Sequence, residues 1–373
     1  MIKIDHKPLK YQYRKFGWLC FIFVIYLMMS MKTSTTGLSQ SNSEPKTSSA
    51  KQMQAIETGA FVGVSPPTAS GVREFENLID KHIYTVMWYQ GWDTINQPSF
   101  PTTELENVRD HDGYDTQIIL QLTWEPWVSL QEINNGDYDA YLTSYAEDVK
   151  NWNDTVRIRF AHEMIQDDVL NNQEWYPWQD QPMDYINAFS HVHNIFETTG
   201  ATNVEFVWCP NNYPFDLNIV QKYYPGNHYV DWLCMDGYNW TNQDGTSAWP
   251  NWQWFDDIFY NIYHTLTDNS EVFGAKPLMI GEFGSCEAGI YDQSGQTKDQ
   301  WIENAFERIK SQDYSKIQGF YWFNINKKGE GSWECDWRVN SSNEALMEFK
   351  IAVRDPVFSS HKMPALFLPV VMK

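Results

Sequence analysis

The stretch Val156-Arg-Ile-Arg-Phe-Ala-His-Glu163 is an apolar, β-prone run that stops at a glutamate. A second stretch, Pro277-Leu-Met-Ile-Gly-Glu282, has the same form and also ends in a glutamate. Parallel strands present their carboxyl ends on one side of a sheet, and that side is where active sites form. The two stretches therefore predict two carboxylates presented together by the ends of two buried strands.

The unit around each stretch recurs along the chain as an apolar run, a polar loop and then a helical pattern. The predicted strands are Phe61–Val64, Tyr84–Trp88, Gln117–Trp124, Val156–Phe160, Val204–Trp208, Val230–Met235, Pro277–Ile280 and Ile317–Phe323. The predicted helical segments are Val72–His82, Glu104–Asp110, Asp139–Trp152, Asp184–Thr198, Asp216–Tyr223, Trp254–Thr267, Asp299–Gln312 and Asn343–Val353. Strands that alternate with helices pair in parallel, and near-continuous apolar strands are buried on both faces.

Eight such β-then-α units predict the α/β class and a single (β/α)8 TIM barrel. An open doubly wound sheet is the competing architecture, but no glycine-rich phosphate loop follows the first strand. We expect the catalytic domain to span residues 57–355. No internal sequence repeat is evident, and no second domain is evident after residue 355.

The amino-terminal region has the composition of a targeting segment followed by a linker. Lys10, Arg14 and Lys15 precede an apolar run from Phe16 to Met29, which is short for a membrane span. Residues 1–31 are therefore predicted to be a signal peptide or an uncleaved signal anchor, and the Ser/Thr-rich residues 32–56 a linker. We expect a secreted protein or one tethered outside the cytoplasmic membrane. Residues 356–373 form an apolar tail with no assigned role.

The overall charge constrains the partner. The formal net charge is −21, which argues against nucleic acid and against strongly acidic polysaccharides. The 18 tryptophans and 21 tyrosines supply flat apolar rings on which sugars stack, although a tryptophan-rich core is the alternative. We expect a neutral polysaccharide as the substrate and a monomeric protein.

Four cysteines follow the amino-terminal segment, too few for a disulfide scaffold in a domain of this size. Cys286 and Cys335 lie just past two predicted strand ends, where a bridge between adjacent loops is possible. Cys209 and Cys234 lie in or at the ends of apolar strands, and we expect free buried thiols there.

Several polar and aromatic groups fall at the predicted strand ends together with Glu163 and Glu282. They are Trp88, Trp124, Glu125, His162, Asn211, Asp236, Tyr238 and Trp322. Two convergent carboxylates suit glycoside hydrolysis, in which one protonates the leaving oxygen and the other stays ionised. Tyr238 is placed to donate a hydrogen bond to Glu282 and favour its anion.

Other hydrolase chemistries lack their motifs. The His-Glu pair at 162–163 would need a second histidine four residues after the first to form a zinc protease site, and that position is Gln166. No Cys/His spacing indicates zinc, and no Gly-x-Ser-x-Gly elbow is present. The sequence therefore predicts no metal and no cofactor.

The motifs resemble glycoside hydrolase family 26. The stretches that carry the resemblance are Arg159-Phe-Ala-His-Glu-Met164, Trp175-Tyr-Pro-Trp178, Tyr229-Val-Asp-Trp232, Asp236-Gly-Tyr-Asn239, Ile280-Gly-Glu-Phe-Gly284 and Phe320-Tyr-Trp-Phe-Asn324. The resemblance runs from about Ala60 to Phe349, with the motifs in the family's order. It differs in one loop, because residues 165–174 intervene where the family usually has Asn-Gly and then tryptophan.

The resemblance implies a retaining hydrolase on a (β/α)8 barrel. Glu163 would be the acid/base and Glu282 the nucleophile. Substrate-binding residues would be His162, Trp175, Asp236, Tyr238 and Trp322, joined by the strand-end Trp88 and Trp124. The expected activity is endo-β-1,4-mannanase, with mixed-linkage β-1,3-1,4-glucanase as the alternative. A non-catalytic carbohydrate-binding barrel is the alternative from another class.

Overall fold

The computed structural model describes residues 55–111, 118–165, 175–213, 215–245 and 251–359. The predicted signal or anchor segment 1–31, nearly all of the linker, most of the 165–174 insertion and the tail from residue 360 onward lie outside the described residues. Within the described part, no helix is long and apolar enough to cross a membrane.

Strands and helices alternate along the described chain. The strands are β1 (Ile56–Phe61), β2 (Thr85–Trp92), β3 (Ile119–Pro126), β4 (Val156–Phe160), β5 (Val204–Trp208), β6 (Trp232–Asn239), β7 (Leu278–Ser285), β8 (Ile317–Phe323) and β9 (Phe358–Ser359). The helices are α1 (Ala69–Ile79), α2 (Thr102–Arg109), α3 (Leu130–Asn134), α4 (Asp139–Trp152), α5 (Pro182–Thr199), α6 (Leu217–Val220), α7 (Phe255–Asp268), α8 (Ser270–Phe273), α9 (Lys298–Ile309) and α10 (Asn343–Val353). Short 3-10 helices occupy Gln221–Tyr223 and Gln312–Tyr314.

Strands β1 to β8 close into a barrel. Each pairs in parallel with the next along the chain, and β1 pairs in parallel with both β8 and β2. The two-residue strand β9 adds to β1 from outside this ring. The closed parallel sheet with its flanking helices confirms the predicted (β/α)8 barrel.

Several predicted elements match the observed bounds, including β4, β5, β8, α4 and α10. The first strand was predicted wrongly, because it runs from Ile56 to Phe61 and not from Phe61 to Val64. Its Glu-Thr-Gly centre lacks the apolar run used to recognise strands, and it starts one residue inside the expected linker. Strand β7 continues to Ser285, so Glu282 lies within the strand.

Alternation of side chains along the strands divides the core in two. Leu122, Ile158 and Phe320 point outward and pack against the helices in the main apolar cluster. Residues of the opposite parity fill the barrel interior with Phe61, Met87, Val207, Cys209, Trp232, Cys234, Met279 and Tyr321. The interior of β4 is different because it carries Arg157 and Arg159, which are both buried.

Candidate active site

Glu282 faces the barrel mouth because β7 is irregular at Gly281. Met279 points into the barrel and Ile280 points outward, so regular alternation would send Glu282 outward. The pairing with β6 shifts here, with Met235 opposite Ile280 and Asp236 opposite Glu282. This extra residue reverses the parity and turns the Glu282 side chain inward.

Gly281 also permits close packing at this point. A β-carbon there would lie 2.4 Å from the Cys234 sulfur, 2.6 Å from Asp236 Oδ1 and 2.9 Å from Arg159 Nη1. Side chains do not approach this closely, so any larger residue would displace the groups beneath the nucleophile candidate.

Both oxygens of the Glu282 carboxylate accept hydrogen bonds. Arg159 Nη2 donates to Oε1, and the Tyr238 hydroxyl donates to Oε2. The Tyr89 hydroxyl also hydrogen-bonds this carboxylate from β2. Burial would raise the pKa of Glu282, but the charge of Arg159 and these hydrogen bonds outweigh it, so the pKa lies below its usual value. Glu282 is therefore held as an anion.

Arg159 is fixed by partners on three strands. Its Nη1 donates to Asp236 Oδ2 at 2.7 Å, and its Nε and Nη2 donate to Thr123 Oγ1 at 3.0 and 2.8 Å. The guanidinium is fully buried and donates from its two terminal nitrogens, Nη1 to Asp236 and Nη2 to Glu282. Asp236 is itself fully buried, and its burial together with the charges of Glu282 and Glu163 raises its pKa.

Glu163 lies beyond the end of β4 in a left-handed backbone conformation, with φ at 51°. Its backbone N–H donates to the Cys209 carbonyl at 2.9 Å, and its carbonyl accepts from Gln179 Nε2 at 2.7 Å. Ala161 is also left-handed, with φ at 47°. Two such non-glycine residues around His162 indicate a backbone held in a strained conformation to aim the side chains.

The Glu163 carboxyl group has a very different environment from that of Glu282. Burial and the negative charge of Glu282 raise its pKa to about 7, and Arg159 only partly offsets this. Among the described residues, none donates a hydrogen bond to its side-chain oxygens. Glu163 is therefore a proton donor near neutral pH, as a general acid must be.

His162 is neutral, directly precedes Glu163 in the chain and lies near Glu282. Burial and the nearby charge of Arg159 lower its pKa to about 3. Its Nε2 lies 3.4 Å from the Tyr176 hydroxyl and 4.0 Å from Glu282 Oε1. The Trp178 indole fixes the backbone here by donating to the His162 carbonyl at 2.7 Å.

Aromatic rings form two walls beside the glutamates. On the His162 side, Tyr176 stacks on Trp178 with ring centroids 4.5 Å apart, and Trp127 contacts both. On the other side, Trp337 packs against Tyr238 at 4.9 Å and against Trp240 at 4.8 Å. Trp178 and Trp337 are buried and support the walls, whereas Trp127, Tyr176 and Trp240 keep exposed ring surface on which sugar rings can stack.

The disulfides are Cys286–Cys335 and Cys209–Cys234. The first confirms the predicted bridge between loops, and it supports the wall that contains Trp337. The second corrects the expectation of free thiols, because the pairing of β5 with β6 brings these two residues side by side in the barrel interior.

The structure brings together Glu163, Glu282, His162, Asp236 and Tyr238 as expected. It does not bring Trp88, Trp124 or Trp322 to the cleft. Their side chains are 0% exposed and lie between barrel and helices, so they offer no surface to a sugar. Trp175 is 46% exposed at the edge of the undescribed segment 166–174, and no contact with the glutamates is observed for it.

Sequence reasoning missed several residues of this site. These residues contact the glutamates or belong to the aromatic walls beside them, and they are Tyr89, Arg159, Tyr176 and Trp127. Arg159 and Tyr176 lie within the family-26-like motifs, and Trp127 lies close to the end of the predicted third strand. Tyr89 follows the predicted second strand directly and has the inward parity of Met87, which was the available signal.

Two curated proteins are similar to this chain in sequence. Endoglucanase H of Acetivibrio thermocellus is 33% identical over 311 residues, which cover 80% of this chain and 30% of that protein. Mannan endo-1,4-beta-mannosidase A and B of Caldalkalibacillus mannanilyticus is 27% identical over 214 residues, covering 52% of this chain and 34% of that protein. The chain thus spans about a third of the length of the curated relatives it matches. No protein-family model matches the chain.

Solved structures give the same picture at the level of the fold. A Cellulomonas fimi endo-beta-1,4-mannanase double mutant superposes with a TM-score of 0.57 at 17% identity, covering 82% of this chain and 72% of that one. The catalytic domain of a Bacillus sp. JAMB-750 GH26 endo-beta-1,4-mannanase gives 0.57 at 18% identity, covering 83% and 88%. The chain resembles glycoside hydrolase family 26. Its curated relatives are an endoglucanase and a mannan endo-1,4-beta-mannosidase, and the superposing structures are endo-beta-1,4-mannanases, so the predicted glycoside hydrolase class is confirmed.

Proposed function

We propose that this protein is a retaining endo-β-glycanase that cleaves a neutral β-linked polysaccharide by double displacement. The observation that carries the proposal is the division of labour between the two carboxylates. Glu282 is held as an anion by Arg159 and Tyr238, whereas burial beside that anion keeps Glu163 protonated near neutral pH. Two carboxyl groups with pKa values pushed apart are the requirement for an acid and a nucleophile in one site.

In the first step, a Glu282 oxygen forms a bond to the anomeric carbon while the bond from that carbon to the leaving oxygen breaks. Glu163 gives its proton to the leaving oxygen, so the released chain end is a neutral hydroxyl. In the second step, Glu163, now a carboxylate, takes a proton from water as the water oxygen bonds to the anomeric carbon. The bond from the anomeric carbon to Glu282 breaks as the bond to the water oxygen forms, and both groups return to their starting charges.

The surroundings of Glu282 support this cycle. Tyr238 and Arg159 hold its two oxygens in place before reaction, so attack requires little reorganisation. Formation of the glycosyl-enzyme removes the Glu282 charge that raises the pKa of Glu163. The pKa of Glu163 then falls, so Glu163 stays an ionised carboxylate that can act as the base.

For the substrate, we infer β-glucan ahead of mannan, with mixed β-1,3-1,4 linkages included. The similarity to the endoglucanase is greater in identity and covers more of this chain than the similarity to the mannan endo-1,4-beta-mannosidase. Mannan remains the second candidate, because the superposing solved structures are endo-beta-1,4-mannanases. The net charge of −21 fits a neutral glycan in either case.

The experiment measures reducing-sugar release by the full chain and by Glu282→Ala on barley β-glucan, galactomannan, glucomannan, xylan and carboxymethylcellulose. We expect the wild type to cleave barley β-glucan and Glu282→Ala to be inactive yet folded. Glu271→Ala, an exposed carboxylate on α8, is the matched control and keeps full activity. Near-normal turnover by Glu282→Ala would contradict the proposed mechanism. Cleavage of galactomannan alone would contradict the assignment of β-glucan as the substrate.

Stereochemistry tests the two-step mechanism separately. Proton NMR during early turnover should show the β-anomer of the new reducing end first. Initial appearance of the α-anomer would exclude double displacement. A folded protein that binds a glycan in gel-shift electrophoresis without releasing product would instead support the non-catalytic barrel.

We also propose that the protein acts outside the cytoplasm. Two disulfides within one domain fit an oxidising compartment. Thiol titration of the protein from its native source under denaturation should find these four cysteines unreactive, and four reactive thiols would contradict the proposal.

A further inference from the structure

A second cluster of chemical groups lies at the opposite end of the barrel, where helices end and strands begin. Glu76 belongs to the last turn of α1, His82 lies between α1 and β2, and His111 lies two residues beyond α2. One ligand atom from each of these three residues lies within 4.8 Å of the other two. We propose that Glu76, His82 and His111 form a binding site for a zinc ion, which ties α1, the loop before β2 and the end of α2 together.

The geometry around His111 favours a bound cation. Its Nδ1 lies 2.6 Å from the Val108 carbonyl oxygen, so this nitrogen carries a proton and donates it. The opposite nitrogen, Nε2, lies 2.9 Å from Glu76 Oε2, so a positive group lies between these two atoms, either the Nε2 proton of an imidazolium or a metal ion. A histidine whose second ring nitrogen donates to a backbone carbonyl is the usual arrangement for a metal ligand, because that bond fixes the tautomer and the ring orientation.

The carboxylate and the second histidine complete the arrangement. The backbone N–H of Ile83 donates to Glu76 Oε1 at 2.9 Å and leaves Oε2 facing both rings. His82 Nδ1 lies 3.1 Å from that same oxygen. Two histidines and a glutamate are a recurrent zinc ligand set, with the fourth position taken by water. Exposure of the His82 side chain, at 55%, gives the ion a path from solvent.

The distances require little movement to admit the ion. Tetrahedral zinc with bonds of about 2.0–2.1 Å separates its ligand atoms by about 3.3 Å. The observed 2.9 and 3.1 Å are slightly shorter. These two contacts therefore need to lengthen by only about 0.2–0.4 Å to admit the ion.

No local sequence motif identifies this site, because its ligands come from α1, from the loop before β2 and from the residues after α2. His82 and His111 are not separated by a spacing that fits a known zinc motif. The site also lies away from the carboxyl ends of the strands, so its role would be structural. Zinc binding is therefore independent of the proposed hydrolase activity, and either proposal can fail alone.

The test uses the untagged full chain, stripped with a chelator and then dialysed. After incubation with zinc chloride and gel filtration, we expect about one zinc per chain by elemental analysis, and a rise in Tm that the chelator reverses. At a free zinc concentration 100-fold above Kd, the folded-to-unfolded ratio should rise about 100-fold. Cobalt(II) should give the visible absorption bands of a tetrahedral site.

Variants assign the metal to these residues. His82→Ala removes the exposed ligand without disturbing the core, and it should abolish stoichiometric zinc and the Tm response. His111→Gln should do the same. His264→Ala, a surface histidine on α7 paired with Asp268, is the control and should behave as wild type. The proposal is overturned if the wild type retains no zinc at micromolar metal, which would identify a histidine–carboxylate hydrogen-bond cluster. It is equally overturned if His82→Ala retains zinc and the Tm response of the wild type.

Discussion

Arg157 and Arg159 are two residues apart on β4, and both point into the barrel, yet they serve opposite ends of it. Arg157 donates to Glu57 Oε1 at 3.1 Å and to Glu205 Oε2 at 3.0 Å, and it covers the Trp232 ring from 4.2 Å. Arg159 donates to Asp236 and to Glu282, with Thr123 as its third partner. Each arginine is thus buried and bonded to two carboxylates.

The carboxylates bonded to Arg157 and those bonded to Arg159 differ in their position in the barrel and therefore in their role. The partners of Arg157 lie at the amino-terminal ends of β1 and β5, where they close the bottom of the barrel. Glu282, the partner of Arg159, lies at the carboxyl ends of the strands with Tyr238 and Glu163 beside it. The same ion-pair chemistry therefore stabilises the fold at one end and sets the charge of a reacting group at the other.

Arg159→Met should have the largest effect on activity. Loss of the guanidinium leaves Glu282 buried beside Asp236 without a cation, so its pKa rises and the nucleophile is protonated at neutral pH. We expect kcat to fall by about 10³-fold or more. Steady-state kinetics on the preferred glucan measure this, with circular dichroism to establish that the variant is folded. A loss below about tenfold would show that Arg159 does not control Glu282.

Arg157→Met is the matched variant at the other end of the barrel. Removing the buried guanidinium leaves Glu57, which is 17% exposed, and Glu205, which is 37% exposed, without a cation. Solvent screens these carboxylates in part, so the variant should lose about 2–3 kcal/mol, less than a fully buried pair would. Urea unfolding measures this loss. The kcat per folded molecule should stay within about twofold of wild type, because no partner of Arg157 lies at the cleft. A kcat loss as large as that of Arg159→Met would contradict the assignment of a structural role to Arg157 and a catalytic-site role to Arg159.

Tyr238→Phe should have a smaller effect, because it removes one neutral donor from Glu282 and leaves Arg159 in place. We expect kcat to fall about 100-fold. The acid limb of the pH profile should also move to higher pH, since the anion of Glu282 is less stabilised. Tyr321→Phe is the control, because its hydroxyl bonds Thr85 at 2.7 Å deeper in the barrel. Equal losses in both tyrosine variants would contradict a specific role for Tyr238.

The sequence was sufficient to predict the barrel because its strands and helices differ strongly in apolar periodicity. Strand β4 and helix α10 were predicted with their observed bounds for this reason. Glu163 was identified because it follows the end of β4, whereas the predicted end of β7 came too early and Glu282 lies within that strand.

Side-chain direction was harder to predict than element type. Trp88 and Trp124 were selected for their residue type, but their parity sends them to the helices, while Tyr89 beside Trp88 points inward. The bulge at Gly281 cannot be read from periodicity, although a glycine directly before a strand glutamate is a signal for one. The Cys209–Cys234 pairing depended on the register of β5 with β6, which local pattern does not determine.

Of the variants tested by unfolding, Glu163→Gln should change the free energy of unfolding least, and the size of the change depends on pH. The pKa of Glu163 is about 7 in the folded protein and near 4.5 in an unfolded chain, so the folded state binds more protons between these values. Wild-type stability contributed by this group is therefore intact below pH 4.5 and is lost as pH rises toward 7. Glutamine does not ionise, so the variant avoids that loss.

Because Glu163 is partly exposed, we expect the variant to be more stable than wild type by only about 2 kcal/mol at pH 8, and equal to it at pH 4. Urea unfolding at both pH values measures the difference, with Glu271→Gln as the surface control. A gain of the same size at both pH values would mean that packing, and not the buried charge next to Glu282, is responsible; no gain at pH 8 would mean that Glu163 carries no raised pKa, which would remove the acid from the proposed mechanism.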